Sequence, residues 1–381
     1  MPAPTTRITI FASFSGQGGV ERMLVHLIQG FCDQGYAVDL LMVRATSAAL
    51  EQLPATVRRI PLRPGHTLLA SFALADWLRR ERPAVVLAVK DRAGRAAVMA
   101  RALARTDTRL VLRLGTNLSA ALSTSNPLKR WLRLLPIRRL YPAIEQIVAV
   151  SKGVAEDTAQ IAQLPRGQIR VIRNPVITPR MKALAAAACP HPWLDEAESI
   201  PVIIGAGRLQ RQKDFPTLVR AFSLVRCERA CRLLIIGDGR GRNALEALAK
   251  TLGLRLGPDG DLELPGYQTN LYAWLARADL FVLSSAWEGS PNVLTEALAL
   301  GIPAVATDCP SGPRELLLDG RYGPLVPVGD SKAMASAMLQ TLDAPLPASR
   351  LQQAVTDYSQ AASVSAYLDA MGLQPGHVTT G

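Results

Sequence analysis

The chain lacks several features that would place it in other classes of protein. No apolar run approaches ~20 residues, the length of a helix that crosses a bilayer, and residues 1–6 carry Pro and Thr rather than a basic-then-apolar leader. We therefore expect neither a transmembrane helix nor a signal peptide. Charged residues make up only 19% of the 381 residues and hydrophobic residues 49%, which excludes a disordered chain and allows two sizeable cores.

Cysteine and histidine are also scarce. The five cysteines are odd in number and contain no C-x-x-C pair, which predicts reduced thiols in the cytosol. Cys227 and Cys231 stand at helical spacing, but no His is near them in sequence, so we expect no metal site there. The other three cysteines are Cys32, Cys189 and Cys309.

Acidic residues are sparse in one half of the chain only. Through residue 175 there are 25 Lys and Arg against 11 Asp and Glu, whereas the remainder has 18 against 20. Such asymmetry indicates a polyanionic partner for the first half, either an anionic membrane face or nucleic acid. Residues 129–141 interleave Lys and Arg with Trp, Leu, Ile and Tyr, which favours the membrane face over nucleic acid. The alternative is an ordinary helix with a buried Leu side and a solvated Arg side.

The hydrophobic pattern alternates between strand-like runs and helix-like stretches. It predicts strands at 7–14, 37–43, 57–60, 84–89, 109–114 and 146–150, and then, after a polar link, at 201–205, 232–236, 262–264, 280–283 and 304–307. This alternation implies parallel sheets covered on both faces. We predict an α/β protein of two Rossmann-like domains that face each other across a cleft, 1–175 and 176–355, with a terminal helix and a loose tail in 356–381.

Two glutamates eight positions apart mark a candidate pocket in the second domain. Glu288 and Glu296 bracket a turn and a helix start that follow the apolar run 280–283, and we expect Ser290 as the N-cap and Pro291 as the first helical residue. A helix N-terminus aims backbone N–H groups at one place, so the two carboxylates and the amides together suit a polyhydroxylated anion such as a nucleotide sugar.

Several short patterns then fall into one order along the second half. They are 207–209, 212–215, 235–240, 264–267, 284–289 and 307–315. This succession resembles the retaining glycosyltransferases of family 4, which have the GT-B fold, and looks most like the bacterial branch that acts on polyprenyl-diphosphate-linked or other surface glycans. Over the first half the resemblance depends mainly on Gly18-Gly19-Val20-Glu21-Arg22 and on Asn174-Pro175.

The resemblance implies a chemistry in which a nucleoside diphosphate leaves with growing negative charge. Arg208 and Lys213 stand five apart after a strand and would stabilise that charge, Arg as a fork and Lys as a point charge. No closely spaced Asp-x-Asp accompanies them, so we expect a metal-independent reaction with no cofactor besides the nucleotide-sugar donor.

The family pattern also implies roles for the remaining site residues. Glu296 would hold the ribose hydroxyls of the nucleotide and Glu288 would contact the donor hexose, since a carboxylate accepts from two hydroxyls. The backbone of Gly289, Ser290, Pro291 and Asn292 would face the sugar and diphosphate. Pro291 has no N–H group and would not donate a hydrogen bond there. Gly237 and Gly266 would let the backbone approach the base, and Gly18 and Gly19 would approach the diphosphate from the first domain.

One departure from the family pattern concerns histidine. Relatives often carry a His in the loop that here reads Arg113-Leu114-Gly115-Thr116-Asn117, and this chain has none there. Its four histidines lie elsewhere, so the acid/base role stays unassigned. In a retaining front-face displacement the leaving phosphate can itself take the proton of the acceptor.

The sequence therefore predicts a glycosyltransferase that moves a hexose or N-acetylhexosamine from a nucleotide sugar to a lipid-linked or surface-glycan acceptor. We expect the donor to be a UDP-sugar, with a GDP-sugar as the alternative. The basic first domain would receive the acceptor at the inner face of the cell membrane, which makes the protein cytoplasmic and peripheral, without nucleic acid as a partner. Two alternatives stay open: a GT-B epimerase acting on the nucleotide sugar, and a nonenzymatic membrane- or nucleic-acid-binding protein.

Overall fold

The computed structural model describes residues 7–14, 19–63, 69–121, 126–195 and 200–374, without the side chains of residues 127, 129 and 130. The chain divides into two compact units. Unit 1 contains Met1–Val176 and Asp357–Gly381, and unit 2 contains Ile177–Thr356. The last stretch of the chain therefore belongs to the same unit as the first.

Unit 1 is built on a parallel sheet of seven strands in the order β3-β2-β1-β4-β5-β6-β7. The strands are β1 Arg7–Phe14, β2 Ala37–Ala45, β3 Arg58–Pro61, β4 Val85–Val89, β5 Arg109–Leu114, β6 Gln146–Ala149 and β7 Ile169–Val171. The helices between them are α1 Gly19–Asp33, α2 Ala70–Glu81, α3 Asp91–Ala104, α4 Leu118–Ala121, α5 Pro127–Leu140 and α6 Lys152–Ala162. Buried residues run almost without interruption through β1 and β4, as expected for strands covered on both faces.

Each face of this sheet has its own hydrophobic core. One core joins the sheet to α2, α3, α5 and α6, and the other joins it to α1 and to the last helix of the chain, Gln360–Met371. That last helix approaches α1 closely, because a Cβ on Gly30 would lie 2.4 Å from Val364 Cγ2. A larger side chain at position 30 would separate the two helices.

Unit 2 carries a parallel sheet of six strands in the order β10-β9-β8-β11-β12-β13. The strands are β8 Val202–Ala206, β9 Arg232–Ile236, β10 Leu262–Gly266, β11 Leu280–Leu283, β12 Ala304–Thr307 and β13 Leu325–Val326. The helices are α7 Met181–Ala185, α8 Phe215–Glu228, α9 Arg242–Thr251, α10 Leu271–Leu275, α11 Asn292–Ala299, α12 Pro313–Leu316, α13 Ser331–Asp343 and α14 Ala348–Gln353, after which Gln360–Met371 of unit 1 is α15. A core on one face packs α8, α9 and α13 against the sheet.

All eleven strands predicted from the sequence are present, with ends shifted by at most two residues. The prediction missed β7 and β13, which have three and two residues and lie at the edges of their sheets. Strands this short carry too few alternating or apolar positions to show a period.

None of the helices within the described ranges combines the length and the apolar character that a membrane span requires. The candidate interfacial segment 129–141 largely coincides with α5.

Candidate active site

The candidate site of unit 2 lies where its strand order reverses. From β8 the chain moves outward through β9 and β10, and it then returns to place β11 on the other side of β8. In open parallel sheets, ligands bind at the carboxyl ends of the strands at such a point. The loop after β8 carries Arg208 and Lys213, and the loop after β11 carries Glu288.

Lys213 and Glu288 meet across this reversal point. Lys213 Nζ lies 2.6 Å from Glu288 Oε1, and Ser285 Oγ donates to the same oxygen at 2.7 Å. The two charged side chains are 18% and 7% exposed, respectively, so the ion pair is only partly reached by water. Lys213 extends over Gly207, where a Cβ would lie 2.9 Å from Lys213 Cε. The pair therefore depends on a glycine at the end of β8.

Hydrogen bonds hold the loops after β8 and β11 together. Ser284 Oγ donates to the carbonyl oxygen of Lys213 at 2.7 Å, and the amide of Ala286 donates to the carbonyl of Gln212 at 2.8 Å. Gln212 Nε2 in turn donates to the carbonyl of Trp287 at 3.0 Å. Because these bonds involve the backbone on both sides of the Lys213–Glu288 pair, the pair is positioned before any ligand binds.

Glycines bring the backbone of three neighbouring strand ends into contact. Gly237 has φ 136° and a Cβ there would lie 2.0 Å from the carbonyl oxygen of Gly207, so no other residue fits without displacement. The amide of Gly237 donates to the carbonyl of Gly266 at 2.9 Å, and Gly266 itself has φ 83°. The packing of the ends of β8 and β9 therefore requires a glycine at position 237. The predicted approach of Gly237 and Gly266 to the base remains a prediction.

Helix α11 begins one residue later than predicted. Its N-cap is Pro291 rather than Ser290, since the carbonyl of Pro291 accepts the first helical bond from Thr295 N at 3.1 Å. No side chain caps the helix, and Asn292 is its first residue. Ser290 instead belongs with Gly289 to the turn before the helix, which Gly312 approaches so closely that a Cβ on it would lie 2.6 Å from Pro291 Cδ.

Glu296 lies inside α11 and is 2% exposed, so it is more buried than a solvated helix face would leave it. Glu288 is 5% exposed, and its amide donates to the carbonyl of Pro310 at 3.2 Å. The two carboxylates thus flank the helix start, one before it and one in its second turn. Buried carboxylates require hydrogen-bond donors, and Lys213 and Ser285 supply them to Glu288. The predicted contacts of Glu288 and Glu296 with the donor remain predictions.

Arg208 takes no part in the ion pair between Lys213 and Glu288. Its side chain is exposed, directly after Gly207, and it forms no ion pair within the part of the chain that the structure describes. Its predicted role at the diphosphate remains a prediction.

Sequence reasoning missed Cys309 as a neighbour of the site. It follows β12 and is 3% exposed, and its thiol interacts electrostatically with both Glu288 and Lys213. Burial, followed by the negative charge of Glu288, raises the pKa of the Cys309 thiol to about 12. The thiol is therefore neutral and unreactive at neutral pH. Nothing in its spacing could have shown this, because the contact joins two loops from different strands.

Unit 1 has a strand reversal of its own, between β1 and β4. Gly19 is the first residue of α1, at the carboxyl end of β1. Gly18 lies outside the described residues. The loop after β5 begins at Gly115 and contains Thr116 and Asn117, with Thr116 exposed.

Matches to two family models cover most of the chain. Residues 17–180 match the model described as "Glycosyltransferase Family 4", and residues 200–344 match the model described as "Glycosyl transferases group 1". The chain thus belongs to the family 4 glycosyltransferases and has the GT-B fold.

Individual relatives sharpen this assignment. The chain is 28% identical over 374 residues to the lipopolysaccharide core biosynthesis glycosyltransferase LpsE of Rhizobium meliloti, across 95% of this chain and 98% of that protein. It is 30% identical over 207 residues to an N-acetylgalactosaminyltransferase of Campylobacter jejuni that acts on a diphospho-undecaprenol, across 54% of this chain and 53% of that protein.

Solved structures support the fold. HepE of Anabaena, in complex with UDP and glucose, superposes with a TM-score of 0.75 at 17% identity, covering 96% of this chain and 99% of that one. The lipopolysaccharide outer core galactosyltransferase WaaB superposes with a TM-score of 0.71 at 19% identity, covering 96% and 99%.

Proposed function

We propose that this glycosyltransferase moves a hexose or N-acetylhexosamine from a UDP-sugar to a polyprenyl-diphosphate-linked or other surface-glycan acceptor, with retention of anomeric configuration. The observation that carries the proposal is the Lys213–Glu288 pair at the strand reversal of unit 2. A cation and a carboxylate 2.6 Å apart supply partners for a diphosphate and for sugar hydroxyls at one place.

In this mechanism Lys213 stabilises the charge that grows on the leaving diphosphate. Arg208 adds a bidentate partner, and the N-terminus of α11 adds oriented amides. Glu288 binds a hydroxyl of the donor hexose and Glu296 binds the ribose. These fixed charges act without a metal ion, and the leaving phosphate accepts the proton of the attacking hydroxyl.

Two relatives support the choice of donor and acceptor. HepE binds UDP and glucose, and the Campylobacter relative acts on a lipid-linked diphosphate acceptor. LpsE functions in lipopolysaccharide core biosynthesis. We infer that this chain also acts in the synthesis of a surface polysaccharide.

The first test is a panel of UDP- and GDP-sugars scored by thermal stabilisation. A ligand at 100 times its Kd adds about 2.7 kcal/mol to stability, so the true donor stands out by several degrees. We expect one or two UDP-sugars to stabilise the protein and the same sugars to be consumed when a lipid-linked acceptor is added. Turnover should survive a chelator. Isomerisation of the donor without acceptor would identify an epimerase instead, and no response to any sugar nucleotide would refute the proposal.

Acceptor recognition at a membrane involves α5 of unit 1. Leu128, Trp131 and Leu132 share one face of this helix and are 64%, 53% and 55% exposed, while Leu134 and Ile137 on the opposite face are buried. Exposed Arg138 and Arg139 add positive charge near the apolar face. This combination suits an anionic lipid surface, and we propose a peripheral position at the inner face of the membrane on this ground.

Vesicle co-sedimentation tests this placement. We expect binding to vesicles of phosphatidylglycerol and phosphatidylcholine, weaker binding to phosphatidylcholine alone, and a loss of about tenfold in the Trp131→Ser variant. Equal binding to both kinds of vesicle, or to none, would contradict it.

A further inference from the structure

One loop of unit 1 is supported by two buried charged residues. The loop joins β5 to α4 and consists of residues 115–117. Arg113, near the end of β5, is 2% exposed, and Asp157, on α6, is 6% exposed. Burying an ionised group carries a large desolvation cost, so two such groups at one short loop require an explanation.

Arg113 lies behind the start of the loop. Its Nη2 donates to Asn174 Oδ1 at 2.8 Å, and a Cβ on Gly115 would lie only 2.5 Å from Nη1, so the guanidinium rests against the backbone of Gly115. Tyr367, fully buried on α15, also interacts with this guanidinium. Arg113 thus connects the loop to Asn174, near the end of the first segment of unit 1, and to α15.

The hydrogen-bonding capacity of the Arg113 guanidinium is only partly used within the described residues. Its Nε and Nη1 have no hydrogen-bond partner among the described residues. No carboxylate of the described chain is paired with it, and burial lowers the pKa of its guanidinium. An apolar side chain of similar length would fill the same volume without this cost.

Asp157 holds the other end of the loop. Its Oδ2 accepts from Leu118 N at 2.7 Å and its Oδ1 accepts from Ser119 N at 3.3 Å. Asn117 Oδ1 accepts from Ala120 N at 2.9 Å, which fixes the turn into α4. The backbone is therefore held on both sides of Thr116, whose own side chain is exposed.

The loop of residues 115–117 lies at the edge of the sheet where ligands of such folds bind. The loop leaves the carboxyl end of β5, the strand beside β4, and β4 borders the strand reversal of unit 1. Loops at this edge of an open parallel sheet contact ligands. The exposed Thr116 therefore lies at an edge where ligands bind, between two ends that the residues behind it hold in place.

We propose that Arg113 is a positioning residue for glycosyl transfer: it fixes residues 115–117 so that this loop meets the substrate in one geometry. It acts through the backbone of Gly115 and touches no reacting atom. This inference rests on the proposed transfer reaction for its effect on turnover, but not for its effect on the loop itself.

Arg109 provides a matched control. It lies four residues earlier on the same strand and the same face, and its Nη2 donates to the carbonyl of Ala370 on α15 at 3.3 Å. Arg109 therefore shares the strand and the contact with α15 but has no contact with the loop. Arg113→Met and Arg109→Met each remove one guanidinium that faces α15.

The experiment measures steady-state kinetics and amide hydrogen exchange for both variants. We expect Arg113→Met to lower kcat about tenfold or more, with the donor KM within about threefold, because a displaced contact costs turnover rather than donor affinity. The amides of residues 115–119 should exchange about tenfold faster. Arg109→Met should leave kcat and these exchange rates unchanged. Arg113→Lys should recover part of both, since an ammonium keeps the charge and one bond to Asn174.

The outcomes separate this inference from the proposed function. Wild-type kcat and unchanged exchange in Arg113→Met would overturn the positioning role. Equal losses in Arg109→Met would show a merely structural role and would overturn it as well. Absence of transfer by the wild type would refute the proposed function, while the exchange rates would still decide the role of Arg113. If Arg113→Met does not fold, Arg113→Gln, compared with Arg109→Gln, replaces it in both measurements.

Discussion

The two units place charge differently at the carboxyl edges of their sheets. In unit 2 a cation and a carboxylate from neighbouring strands meet at the reversal point and keep some contact with solvent. In unit 1 the charged groups Arg113 and Asp157 lie behind the loop and hold its backbone. The charged groups of unit 2 therefore lie at the site edge itself and partly in reach of solvent, whereas those of unit 1 are buried and hold a surface loop in place.

The largest effect is expected when Lys213, the cation of the unit 2 ion pair, is replaced. Lys213→Met should lower kcat by about 10²- to 10³-fold, as the loss of one preorganised charge-stabilising group does in other enzymes. The variant also leaves Glu288, 7% exposed, without its cation, so thermal stability should fall. The measurement is single-turnover transfer with the donor that the sugar-nucleotide panel identifies.

Lys250→Met is the control for this change, because Lys250 is exposed at the end of α9. It should keep wild-type turnover. A Lys213→Met enzyme with kcat within threefold of wild type would remove Lys213 from the mechanism.

The next effect concerns the glycines that bring the strand ends of unit 2 together. Gly237→Ala should destabilise unit 2 by about 3 kcal/mol, because the new methyl lies 2.0 Å from the carbonyl oxygen of Gly207 at a φ that other residues avoid. Gly253→Ala is the matched control, with φ 73° and nothing within 4 Å of its Cβ. It should cost only about 1 kcal/mol, the backbone term alone. Urea unfolding measures both, and equal losses would show that the contact with Gly207 does not matter.

A smaller effect tests Glu296, the second of the two glutamates that flank the start of α11. Glu296→Gln keeps the shape of the side chain but removes its charge, and it should weaken UDP binding about 10- to 100-fold, since a hydrogen bond to a charged group is worth about 1.5–3 kcal/mol. Isothermal titration with UDP measures this. The control is Glu228→Gln, at the exposed end of α8, which should bind UDP like the wild type. Unaltered affinity in Glu296→Gln would place the ribose elsewhere.

Much of unit 2 could be predicted from the sequence, because its site consists of short motifs that follow directly on buried strands. Lys213 and Glu288 are both candidates from the sequence, and the predicted ends of the strands that precede them lie within one residue of the observed ends. Local signals set strand ends and helix starts, so such residues can be found without knowing the tertiary structure. Even here the prediction of Ser290 as the N-cap is wrong, because a proline fits the N-cap as well as the first helical position. In the structure Pro291 is the N-cap.

Contacts between residues distant in sequence could not be predicted. Cys309 and Glu288 come from loops after different strands, and Arg113 and Asn174 are 61 positions apart. Within its own strand Arg113 appeared only as a polar residue in an apolar run. Its burial follows from α15, which packs against β5 from the far end of the chain. Periodicity reports which face of a strand is buried, but it does not report which element covers that face.

The smallest expected effect sharpens the comparison through pH, because it concerns unit 1 alone. His26 on α1 contacts the carbonyl of Pro175 through Nδ1 at 2.9 Å, and since a carbonyl only accepts, Nδ1 carries the proton. Burial is the main cause that lowers the pKa of His26 below its usual 6.5, with Arg22 contributing in the same direction and the bond to Pro175 opposing it. The folded unit therefore holds this histidine neutral at pH values where the unfolded chain is already protonated.

The sign of the effect follows from this linkage. Above pH 6.5 both states are neutral at His26 and the residue contributes no pH dependence. As the pH falls below 6.5 the unfolded chain takes up a proton that the folded unit rejects, so stability is lost at up to about 1.4 kcal/mol per pH unit until the lowered folded pKa is reached. His26→Gln can still donate to Pro175 and does not titrate. The urea midpoint of the wild type should therefore fall relative to that of this variant from pH 7.5 to pH 5.5. Parallel profiles would show that His26 is protonated in the folded unit as readily as in the unfolded chain.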